Sequence, residues 1–342
     1  MGRREPGHHR IRTGLERGPI APTLPAELQV EVTSRCNLRC PGCIRTSRQP
    51  EPDADLTLED FRTIVADLPT LERVTFHLNG ESLLAADLFD MVREARVRGA
   101  TTVLNTNGTL LDARRRRALL DSGLHELRVS LDGATQETVR AATGADVFQV
   151  VVENTVALAA ERGDSASPRI SLWMMATRRT IAELPDLVRL AADIGIEEVY
   201  LQRLVLTGHG VATEEHSLHG KVDDAVRAIV AKAEAVAAET GVALRASGRV
   251  PILESLTASR ADNPRLGCWR PWRSAVVTAG RRVVPCCISS FTTPYEVLEM
   301  GRLGEQTWEE VWNGERYQVV RRGILDGTPA PSCRECAERW SL

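Results

Sequence analysis

The eight cysteines of the chain fall into two groups far apart in the sequence, and this division constrains the fold more than any other feature. Three cysteines lie between residues 36 and 43, none lies between 44 and 267, and five lie between 268 and 336. In a reducing compartment, metal or redox ligation is favoured over structural disulfides. The sequence therefore predicts two separate metal sites and a fold that assembles each of them.

Composition argues against several other classes of protein. The 342 residues are 43% hydrophobic, which is enough for a full buried core. The first residues, MGRREPGHHRIRTG, carry charge without the apolar stretch of a signal peptide, and no run of eighteen apolar residues occurs. Lysine and arginine total 43 against 46 acidic residues, which gives a net charge of -3. We therefore expect a cytoplasmic protein that engages neither a membrane nor nucleic acid.

Short β-branched segments alternate with amphipathic segments through most of the chain. Such alternation is typical of a parallel α/β sheet, whose ligands bind at the carboxyl ends of the strands. Because six strand–helix units are too few for a complete eight-stranded barrel, the predicted fold class is α/β with an open, partial (βα)6 barrel. The predicted strands are 28–33, 73–77, 101–105, 126–131, 169–175 and 198–204.

Changes in sequence character divide the chain into three predicted parts. Residues 1–25 are rich in Arg, Gly and Pro without periodicity, which predicts a flexible arm. The barrel domain is predicted over 26–244 and ends with a long helix, at about 217–240. A small cysteine-bearing domain is predicted over 245–342. Within it we expect a β-hairpin formed by 273–279 and 282–285, and a helix at 305–323.

The first cysteine group directly follows the first predicted strand, at the sheet edge where such folds place their active sites. Cys36, Cys40 and Cys43 provide three thiolates, which can ligate three irons of a four-iron, four-sulfur cluster and leave the fourth iron open. A structural zinc site is the alternative, and it would need a fourth ligand nearby. The next histidine or cysteine downstream is His77, at the end of the second predicted strand.

The segment CNLRCPGC, residues 36–43, resembles the CxxxCxxC signature of the radical S-adenosylmethionine (SAM) superfamily. The resemblance implies that SAM binds the open iron of a 4Fe-4S cluster through its amino and carboxylate groups. It also implies that reductive cleavage of SAM yields methionine and a 5′-deoxyadenosyl radical. A flavodoxin or ferredoxin would then be the electron donor.

Asn79-Gly80-Glu81, after the second predicted strand, resembles the GGE motif of that superfamily. In the motif the backbone and the carboxylate receive the methionine ammonium group, and a charge-assisted acceptor suits a cationic amine. Ser130, at the end of the fourth strand, resembles the serine that contacts the ribose. The structural alternatives are an ordinary loop at residues 79–81 and a strand-end cap at Ser130.

Two further positions are placed like SAM-contacting residues. Arg140 is placed like the arginine that neutralises the SAM carboxylate, and its alternative is a solvated helix residue. Asn107 follows the third predicted strand and would line the same cavity, and its alternative is an Asx-turn.

The C-terminal cysteines predict a second site. Cys268, Cys286, Cys333 and Cys336 come from three segments and would ligate a second 4Fe-4S cluster completely. The segments 267–287 and 307–336 resemble the C-terminal SPASM and Twitch extensions of radical SAM enzymes, and the shorter Twitch form fits better. A zinc ribbon is the alternative. Seven ligands leave one cysteine over, either Cys286 or Cys287, and the resemblance to the Twitch spacing implies that Cys286 is the ligand. Cys287 would then be either a small buried hydrophobic residue or a hydrogen-atom donor.

The Twitch resemblance implies a dehydrogenase or an epimerase that acts on aminocyclitols or amino sugars in aminoglycoside-type antibiotic biosynthesis. In such dehydrogenases the adenosyl radical removes a carbinol hydrogen, and the auxiliary cluster takes the remaining electron. Epimerases usually return a hydrogen atom from a barrel cysteine, and no cysteine lies between 44 and 267. We therefore predict an oxidoreductase that converts a secondary alcohol of such a small molecule to a ketone.

Three alternatives stay open. An epimerase would use Cys287 as its hydrogen donor. A maturase would install a crosslink or an oxidation on a ribosomal peptide, and such enzymes commonly carry SPASM extensions. A non-enzymatic iron–sulfur or zinc scaffold would leave Gly80, Glu81 and Ser130 without a role.

Side chains near the strand ends are candidates for substrate contact. Glu31, His77, Trp173 and Arg203 lie at or near the ends of predicted strands. Glu31 or His77 would assist deprotonation of a substrate hydroxyl. The alternative for each is a structural role, and for Glu31 that role would be to brace backbone amides near the cysteine loop.

Overall fold

The computed structural model describes residues 17–48, 51–206, 208, 211–248, 250–257, 268–288 and 293–334. The strands are β1 (Glu27–Val30), β2 (Arg73–Phe76), β3 (Thr101–Thr106), β4 (Glu126–Ser130), β5 (Arg169–Ala176), β6 (Glu198–Arg203), β7 (Ala243–Ala246), β8 (Ser274–Val277), β9 (Arg282–Val284) and β10 (Gly301–Arg302).

Helices connect the strands. The α-helices are α1 (Ile44–Ser47), α2 (Leu58–Ala66), α3 (Leu88–Val97), α4 (Ala113–Ser122), α5 (Gln136–Thr143), α6 (Phe148–Arg162), α7 (Leu184–Asp193), α8 (Asp224–Thr240), α9 (Ile252–Thr257), α10 (Arg270–Arg273), α11 (Tyr295–Leu298), α12 (Trp308–Trp312), α13 (Glu315–Leu325) and α14 (Pro331–Arg334). Within the described ranges, no helix combines the length and apolar content needed to cross a bilayer.

The strands form one ten-stranded sheet in the order β10-β9-β8-β1-β2-β3-β4-β5-β6-β7. Strands β1 to β7 are parallel and follow one another in sequence order. Such a connection requires a crossover between successive strands, which the helices supply. The predicted α/β class with an open, partial barrel is confirmed, and all six predicted strands are present. A seventh parallel strand, β7, was not predicted.

The C-terminal hairpin extends the same sheet. Strand β8 pairs in parallel with β1, and β9 pairs antiparallel with β8. The predicted hairpin is therefore present, but its first strand is also the neighbour of the first barrel strand. Strand β7 crosses the predicted boundary between residues 244 and 245. The second cysteine group is thus carried by a segment that is continuous with the barrel sheet.

One face of the sheet packs against the helices, and the other is the inner face. Partners in parallel register point to the same side, so the register pairs Ser130–Trp173 and Trp173–Tyr200 place these three side chains together. Trp173 stacks on Tyr200 with 4.0 Å between ring centroids. The guanidinium of Arg128 lies 4.3 Å from the Trp173 ring centroid. We call the face that carries Trp173 the inner face.

Ion pairs occupy the inner face at the amino ends of the strands. Glu126 pairs with three arginines, and Glu198 pairs with two. Burial acts to raise the pKa of Glu126, but the arginines around it, Arg128 foremost, lower that pKa to about 2. A charged layer of this kind leaves the carboxyl ends of the strands as the approach to the inner face. The pairs are Arg73–Glu126, Arg128–Glu126, Arg169–Glu126, Arg169–Glu198 and Arg245–Glu198.

The predicted flexible arm is wrong for its described part, residues 17–25, because C-terminal side chains hold this segment. Trp272 Nε1 donates to the carbonyl oxygen of Gly18 at 2.7 Å. The side chain of Asn313 accepts from the amide nitrogen of Ala21 at 2.9 Å and donates to its carbonyl oxygen at 3.2 Å. Residues 17–25 are therefore joined to the C-terminal part of the described structure.

Two predicted helices differ in length from the observed ones. The helix predicted at 217–240 begins only at Asp224, where the side chain of Asp223 caps it by accepting from the amide of Val226. The helix predicted at 305–323 is divided into α12 and α13, with Gly314 as the N-cap residue of the second. Apolar periodicity continues across each of these sites, so it does not reveal the caps.

We predict that Asn313→Ala loosens the segment 17–25. The change removes its two bonds to Ala21 and its bond to Arg321, each worth about 0.5–1.5 kcal/mol net. We expect the free energy of unfolding to fall by about 2–4 kcal/mol, and limited trypsinolysis to cleave after Arg17 faster than in the wild type. Equal cleavage rates would contradict the anchoring role. Gln149→Ala, on an exposed helix face, is the control.

Candidate active site

The loop after β1 carries the first cysteine group at the carboxyl end of that strand. All three cysteine side chains are half-buried. The amide of Cys43 donates to the carbonyl oxygen of Cys40 at 3.1 Å, and the amide of Leu38 donates to Cys36 Sγ at 3.4 Å. The loop therefore makes a tight turn between Cys40 and Cys43. Cys43 is the N-cap residue of the short helix α1.

Side chains behind the cysteine loop fix its conformation. Thr33 Oγ1 donates to Asp55 at 2.6 Å and accepts from the amide of Arg35 at 3.2 Å. Arg45 Nε donates to the carbonyl oxygen of Ser34 at 2.6 Å. These hydrogen bonds therefore fix the backbone at the start of the loop, at residues 33–35.

The electrostatics of the cysteine loop fit an iron–sulfur cluster. Burial first, then the proximity of Cys43 and Cys36, raises the pKa of Cys40 to about 12. Three thiols this close need a compensating cation before they can all ionise. No group of three or more His, Cys, Asp or Glu side chains among the described residues surrounds a single metal position. A four-iron cluster binds each thiolate through a different iron, so the donor set fits the cluster better than mononuclear zinc.

Gly80 and Glu81 lie directly against the cysteine loop. A Cβ atom at Gly80 would lie 1.9 Å from the carbonyl oxygen of Thr33 and 2.7 Å from that of Arg35, so only glycine fits there. The amide of Glu81 donates to the carbonyl oxygen of Arg35 at 2.8 Å. The predicted SAM motif is thus placed beside the predicted cluster loop.

The carboxylate of Glu81 connects β2 to β3. It is buried, and it accepts from Thr106 Oγ1 at 2.7 Å, from the amide of Asn107 at 2.7 Å and from the amide of Leu83 at 3.1 Å. Burial raises the pKa of Glu81. The side chain acts as a brace between two strand ends, and its contacts do not test the proposed contact with an ammonium group.

The Asx-turn at Asn107 is present. Asn107 Oδ1 accepts from the amide of Thr109 at 3.0 Å, and Nδ2 donates to Asn37 Oδ1 of the cysteine loop at 3.0 Å. Its role in lining the SAM cavity stays a prediction, but its side chain does reach the cysteine loop.

Glu31 is a buried carboxyl group that joins three segments. Oε1 accepts from the amide of Asn79 at 3.1 Å, and Oε2 accepts from the amide of Ala279, in the turn after β8, at 3.2 Å. Burial is the largest cause that raises the pKa of Glu31, to about 7. Both oxygens are used by backbone donors, as the structural alternative predicted, and catalysis by Glu31 stays an untested prediction.

His77 and Arg203 lie on opposite faces of the sheet. Register places His77 on the inner face, where burial and then the charge of Arg128 lower its pKa to about 4. His77 is therefore neutral near pH 7 and a weak base. Strand alternation puts Tyr200 on the inner face and Arg203 on the other. The expectation that Arg203 faces the cavity is wrong, because its parity along β6 is opposite to that of Tyr200.

Ser130 and Arg140 are both solvent-accessible. Ser130 is exposed at the end of β4, on the inner face. Arg140 pairs with Asp146 at 3.5 Å, and its side chain is 67% exposed. The exposure agrees with the structural alternative for Arg140, and contact of either residue with SAM stays a prediction.

Asp132 was not predicted as a site residue from the sequence. Its Oδ1 accepts from the amide of Met175 at 2.7 Å, and burial raises its pKa to about 6. Its charge contributes to the raised pKa of Cys40, which places it beside the cysteine loop. Its position two residues after Ser130, at the carboxyl end of β4, is the signal that would have identified it.

The C-terminal cysteines lie near one another where they are described. The charge of Cys286 contributes, after burial, to the raised pKa of Cys268, so the two thiols are close. Cys333 and Pro285 line one apolar groove of about 370 Å³, which brings Cys333 to the same region. Cys336 lies outside the described residues. These positions support one auxiliary site, and its ligand set stays a prediction.

Cys287 lies in an apolar environment. It packs against a small apolar cluster of Leu78, Val276, Val284, Tyr295 and Leu298. This cluster lies between the loop after β2 and the C-terminal segment. The packing agrees with the reading of Cys287 as a small buried hydrophobic residue, and a role as hydrogen donor stays untested.

We predict that Gly80→Ala disrupts the active site. The added methyl group has no room against backbone atoms of Thr33 and Arg35, so the loop that bears Glu81 must move. We expect at least about a tenfold loss of SAM affinity in the reconstituted protein, roughly 1.4 kcal/mol. Equilibrium binding measures it. Gly18→Ala, where a Cβ meets only ordinary contacts, is the control. Unchanged SAM affinity in Gly80→Ala would contradict the packing argument.

We predict that Glu31 makes the stability of the fold depend on pH. Its pKa is about 7 when folded and near 4.5 when unfolded, so its protonated form stabilises the fold below about pH 4.5. This stabilisation is lost as the pH rises through about 7. The difference in unfolding free energy between the wild type and Glu31→Gln should therefore fall between pH 5 and pH 8, by up to about 3 kcal/mol.

Urea unfolding at both pH values measures this difference. Glu310→Gln is the matched control, because hydrogen bonds from Thr307 lower the pKa of Glu310 and it stays ionised throughout this range. A difference for Glu31→Gln that is constant with pH would show that burial does not raise the pKa of Glu31.

Comparison with known proteins agrees with this geometry. The family model of the radical SAM superfamily matches residues 30–191, and that of the SPASM iron–sulfur cluster-binding domain matches residues 268–337. A PqqA peptide cyclase of Streptomyces rochei is 28% identical over 321 residues, which cover 92% of this chain and 82% of that protein. A tungsten-containing aldehyde ferredoxin oxidoreductase cofactor-modifying protein of Pyrococcus furiosus is 26% identical, over 91% of this chain and 87% of that protein.

The fold is also similar to that of a solved radical SAM protein structure. Streptococcus suis SuiB bound to S-adenosylmethionine superposes with a TM-score of 0.67 at 15% identity, covering 92% of this chain and 72% of that chain. At this identity the likeness shows the fold alone. The radical SAM domain uses a 4Fe-4S cluster and SAM, and the SPASM-type domain adds auxiliary iron–sulfur binding. The chain thus carries a radical SAM domain, which contains the cysteine loop at the end of β1, and a C-terminal SPASM-type domain, which contains the cysteines beyond β7.

Proposed function

We propose that this enzyme is a maturase that installs a crosslink or an oxidation on a ribosomally made peptide. The observation that carries the proposal is the alignment with a PqqA peptide cyclase over 92% of this chain and 82% of that protein. An alignment of this extent spans both the barrel and the SPASM-type domain. The peptide maturase was an alternative at the level of sequence, and we now prefer it to the aminocyclitol dehydrogenase.

The chain's own residues supply the cofactor sites of this proposal. Cys36, Cys40 and Cys43 would hold the first cluster, and the backbone at Gly80 would present the SAM site. Cys268, Cys286, Cys333 and Cys336 would hold the auxiliary cluster. When bound, the clusters and SAM supply a carbon radical that removes a hydrogen atom and an acceptor for the remaining electron. A flavodoxin or ferredoxin is the proposed electron donor.

The inner face is suited to a peptide side chain that enters while its backbone stays at the rim. Trp173 is fixed between neighbours, since its ring stacks on Tyr200 and lies under the guanidinium of Arg128. Its Nε1 also donates to Ser171 Oγ at 2.9 Å. A preorganised wall of this kind can hold a side chain in one orientation at low entropic cost. The ion pairs at the amino ends of the strands leave the carboxyl ends for entry.

Asp132 is the acidic group that we propose to contact the substrate. Its Oδ1 accepts from a backbone amide, while both oxygens of Glu31 and both of Glu81 accept from backbone donors. A pKa of about 6 leaves Asp132 mostly ionised at neutral pH. Asp132 can therefore accept a hydrogen bond from a peptide amide or ammonium group beside the cysteine loop.

The test uses the reconstituted full chain under anaerobic conditions with SAM and a chemical or flavodoxin reductant. The peptides to try are those encoded by short reading frames beside the gene. We expect one such peptide to stimulate 5′-deoxyadenosine formation and to lose two hydrogen atoms in mass spectrometry. Cys40→Ala should abolish both signals. No stimulation by any of these peptides would contradict the proposal.

The aminocyclitol dehydrogenase is the second candidate. The absence of cysteine between residues 44 and 267 supports it over an epimerase, because the usual barrel hydrogen donor is missing. Amino sugars and aminocyclitols form the comparison set of the same assay, run in deuterated water. Ketone formation without peptide modification would replace the maturase by this candidate. Deuterium at an inverted carbinol carbon would indicate an epimerase instead, with Cys287→Ala as its test variant.

A further inference from the structure

A buried arginine lies in the SPASM-type domain without an acidic partner. Arg321 of α13 is fully buried, and no acidic side chain among the described residues pairs with it. Nε donates to the carbonyl oxygen of Pro271 at 2.8 Å, and Nη1 donates to that of Pro19 at 3.1 Å and to Asn313 Oδ1 at 2.9 Å. Nη2 is buried and has no hydrogen-bond partner among the described residues. A buried charge normally requires a counter-charge, because its desolvation is costly.

A buried hydroxyl group without a partner lies beside this arginine. Tyr317 is four residues earlier on α13, so the two side chains share one helix face. The guanidinium carbon of Arg321 is 5.0 Å from the Tyr317 ring centroid, and the ring packs on Trp312 at 4.6 Å. The hydroxyl oxygen of Tyr317 has no hydrogen-bond partner in the described structure. An unsatisfied buried hydroxyl costs about 1–3 kcal/mol, so two neighbouring orphan donors need an explanation.

The hydroxyl group of Tyr317 lies near an auxiliary cysteine, and Arg321 lies beside that tyrosine. Burial first, and then the nearby charge of Cys286, raises the pKa of Tyr317, which places its hydroxyl group close to that thiol. Cys286 in turn lies close to Cys268. The carbonyl that receives Arg321 Nε belongs to Pro271, three residues after Cys268. The orphan O–H group of Tyr317 thus lies near one predicted cluster ligand, and the orphan N–H group of Arg321 lies on the same helix face.

We propose that Tyr317 and Arg321 are electrostatic partners of the auxiliary cluster: the Tyr317 hydroxyl donates a hydrogen bond to the Cys286 thiolate or an adjacent sulfide, and Arg321 supplies the counter-charge. This inference rests on Cys286 as a cluster ligand, which is part of the proposed function. An iron–sulfur cluster with four thiolates is an anion, and it therefore supplies both the acceptor and the charge that these two residues lack.

The two contacts have a predictable effect on the cluster. Reduction adds negative charge to it, so a hydrogen-bond donor and a cation stabilise the reduced form more than the oxidised form. Hydrogen bonds to the sulfurs and net charge are among the factors that set such potentials. Tyr317 and Arg321 thus act as positioning and tuning residues that make the auxiliary site a better electron acceptor.

The test is a potentiometric titration of the auxiliary cluster, followed by electron paramagnetic resonance. The full chain carries Cys36→Ala, Cys40→Ala and Cys43→Ala, so that only the auxiliary signal remains. Tyr317→Phe keeps the ring packing and removes only the orphan hydroxyl. At the midpoint potential of the unmodified auxiliary cluster, we expect the ratio of reduced to oxidised cluster to fall about tenfold, equivalent to about 59 mV for a one-electron couple.

Two variants complete the test. Tyr200→Phe, on β6 near the opposite edge of the sheet, should leave the auxiliary potential unchanged. Arg321→Lys, which keeps the charge but loses the planar fork, should shift the potential in the same direction as Tyr317→Phe. Iron and sulfide analysis accompanies every titration, so that cluster loss is distinguished from a changed potential.

The outcomes are distinct. A lower potential in Tyr317→Phe with full iron content supports the proposal, as does loss of auxiliary iron from a variant that unfolds at the wild-type temperature. An unchanged potential with full iron content overturns it. If the chain without its first cysteine group binds no iron, the auxiliary site itself is wrong and the inference falls with it. The peptide assay is independent of this result, because it reports on substrate rather than on cluster potential.

Discussion

The contact between Gly80 and the loop after β1 is the constraint on which the active site depends. Two carbonyl oxygens of that loop approach Gly80 so closely that no side chain fits, and the next amide donates to one of them. The carboxylate of Glu81 then accepts from the end of β3. Three strand ends are thereby fixed relative to one another. The position of the cysteine loop depends on this contact, because the backbone of Thr33 and Arg35 lies directly against Gly80.

The same region is joined to the SPASM-type domain. Glu31 accepts from the amide of Asn79 and from that of Ala279, and Asn79 Nδ2 donates to the hydroxyl oxygen of Tyr295 at 2.9 Å. Because β8 also pairs with β1, the cysteine loop after β1 and the segment that carries Cys268 and Cys286 are attached to adjacent strands of one sheet. A shift of the C-terminal segment would therefore reach Asn79 and Gly80 through a few hydrogen bonds.

Features encoded by local pattern could be predicted from the sequence. The six barrel strands follow from β-branched runs, and the first cluster follows from the spacing of Cys36, Cys40 and Cys43. The pairing of β8 with β1 could not be predicted, because it joins segments nearly 250 residues apart and no local pattern records such a partner. Arg203 was misplaced because position near a strand end does not fix the face, which depends on parity along the strand.

The substrate was the least predictable feature, because a radical SAM motif specifies how a reaction starts and not what it acts on. The two cysteine groups nevertheless differ in the charges around them. Glu81, Asp132 and a single arginine, Arg45, act on the thiols of the barrel site. At the second group, the charges of Arg270 and Arg17 act on Cys268, and Arg321 is buried beside Tyr317, near Cys286. Acidic surroundings disfavour reduction of a cluster, and cationic surroundings favour it. An electron left on the substrate would therefore move more readily toward the SPASM-type domain than back to the barrel site. Such a direction would suit the net oxidation of the proposed function.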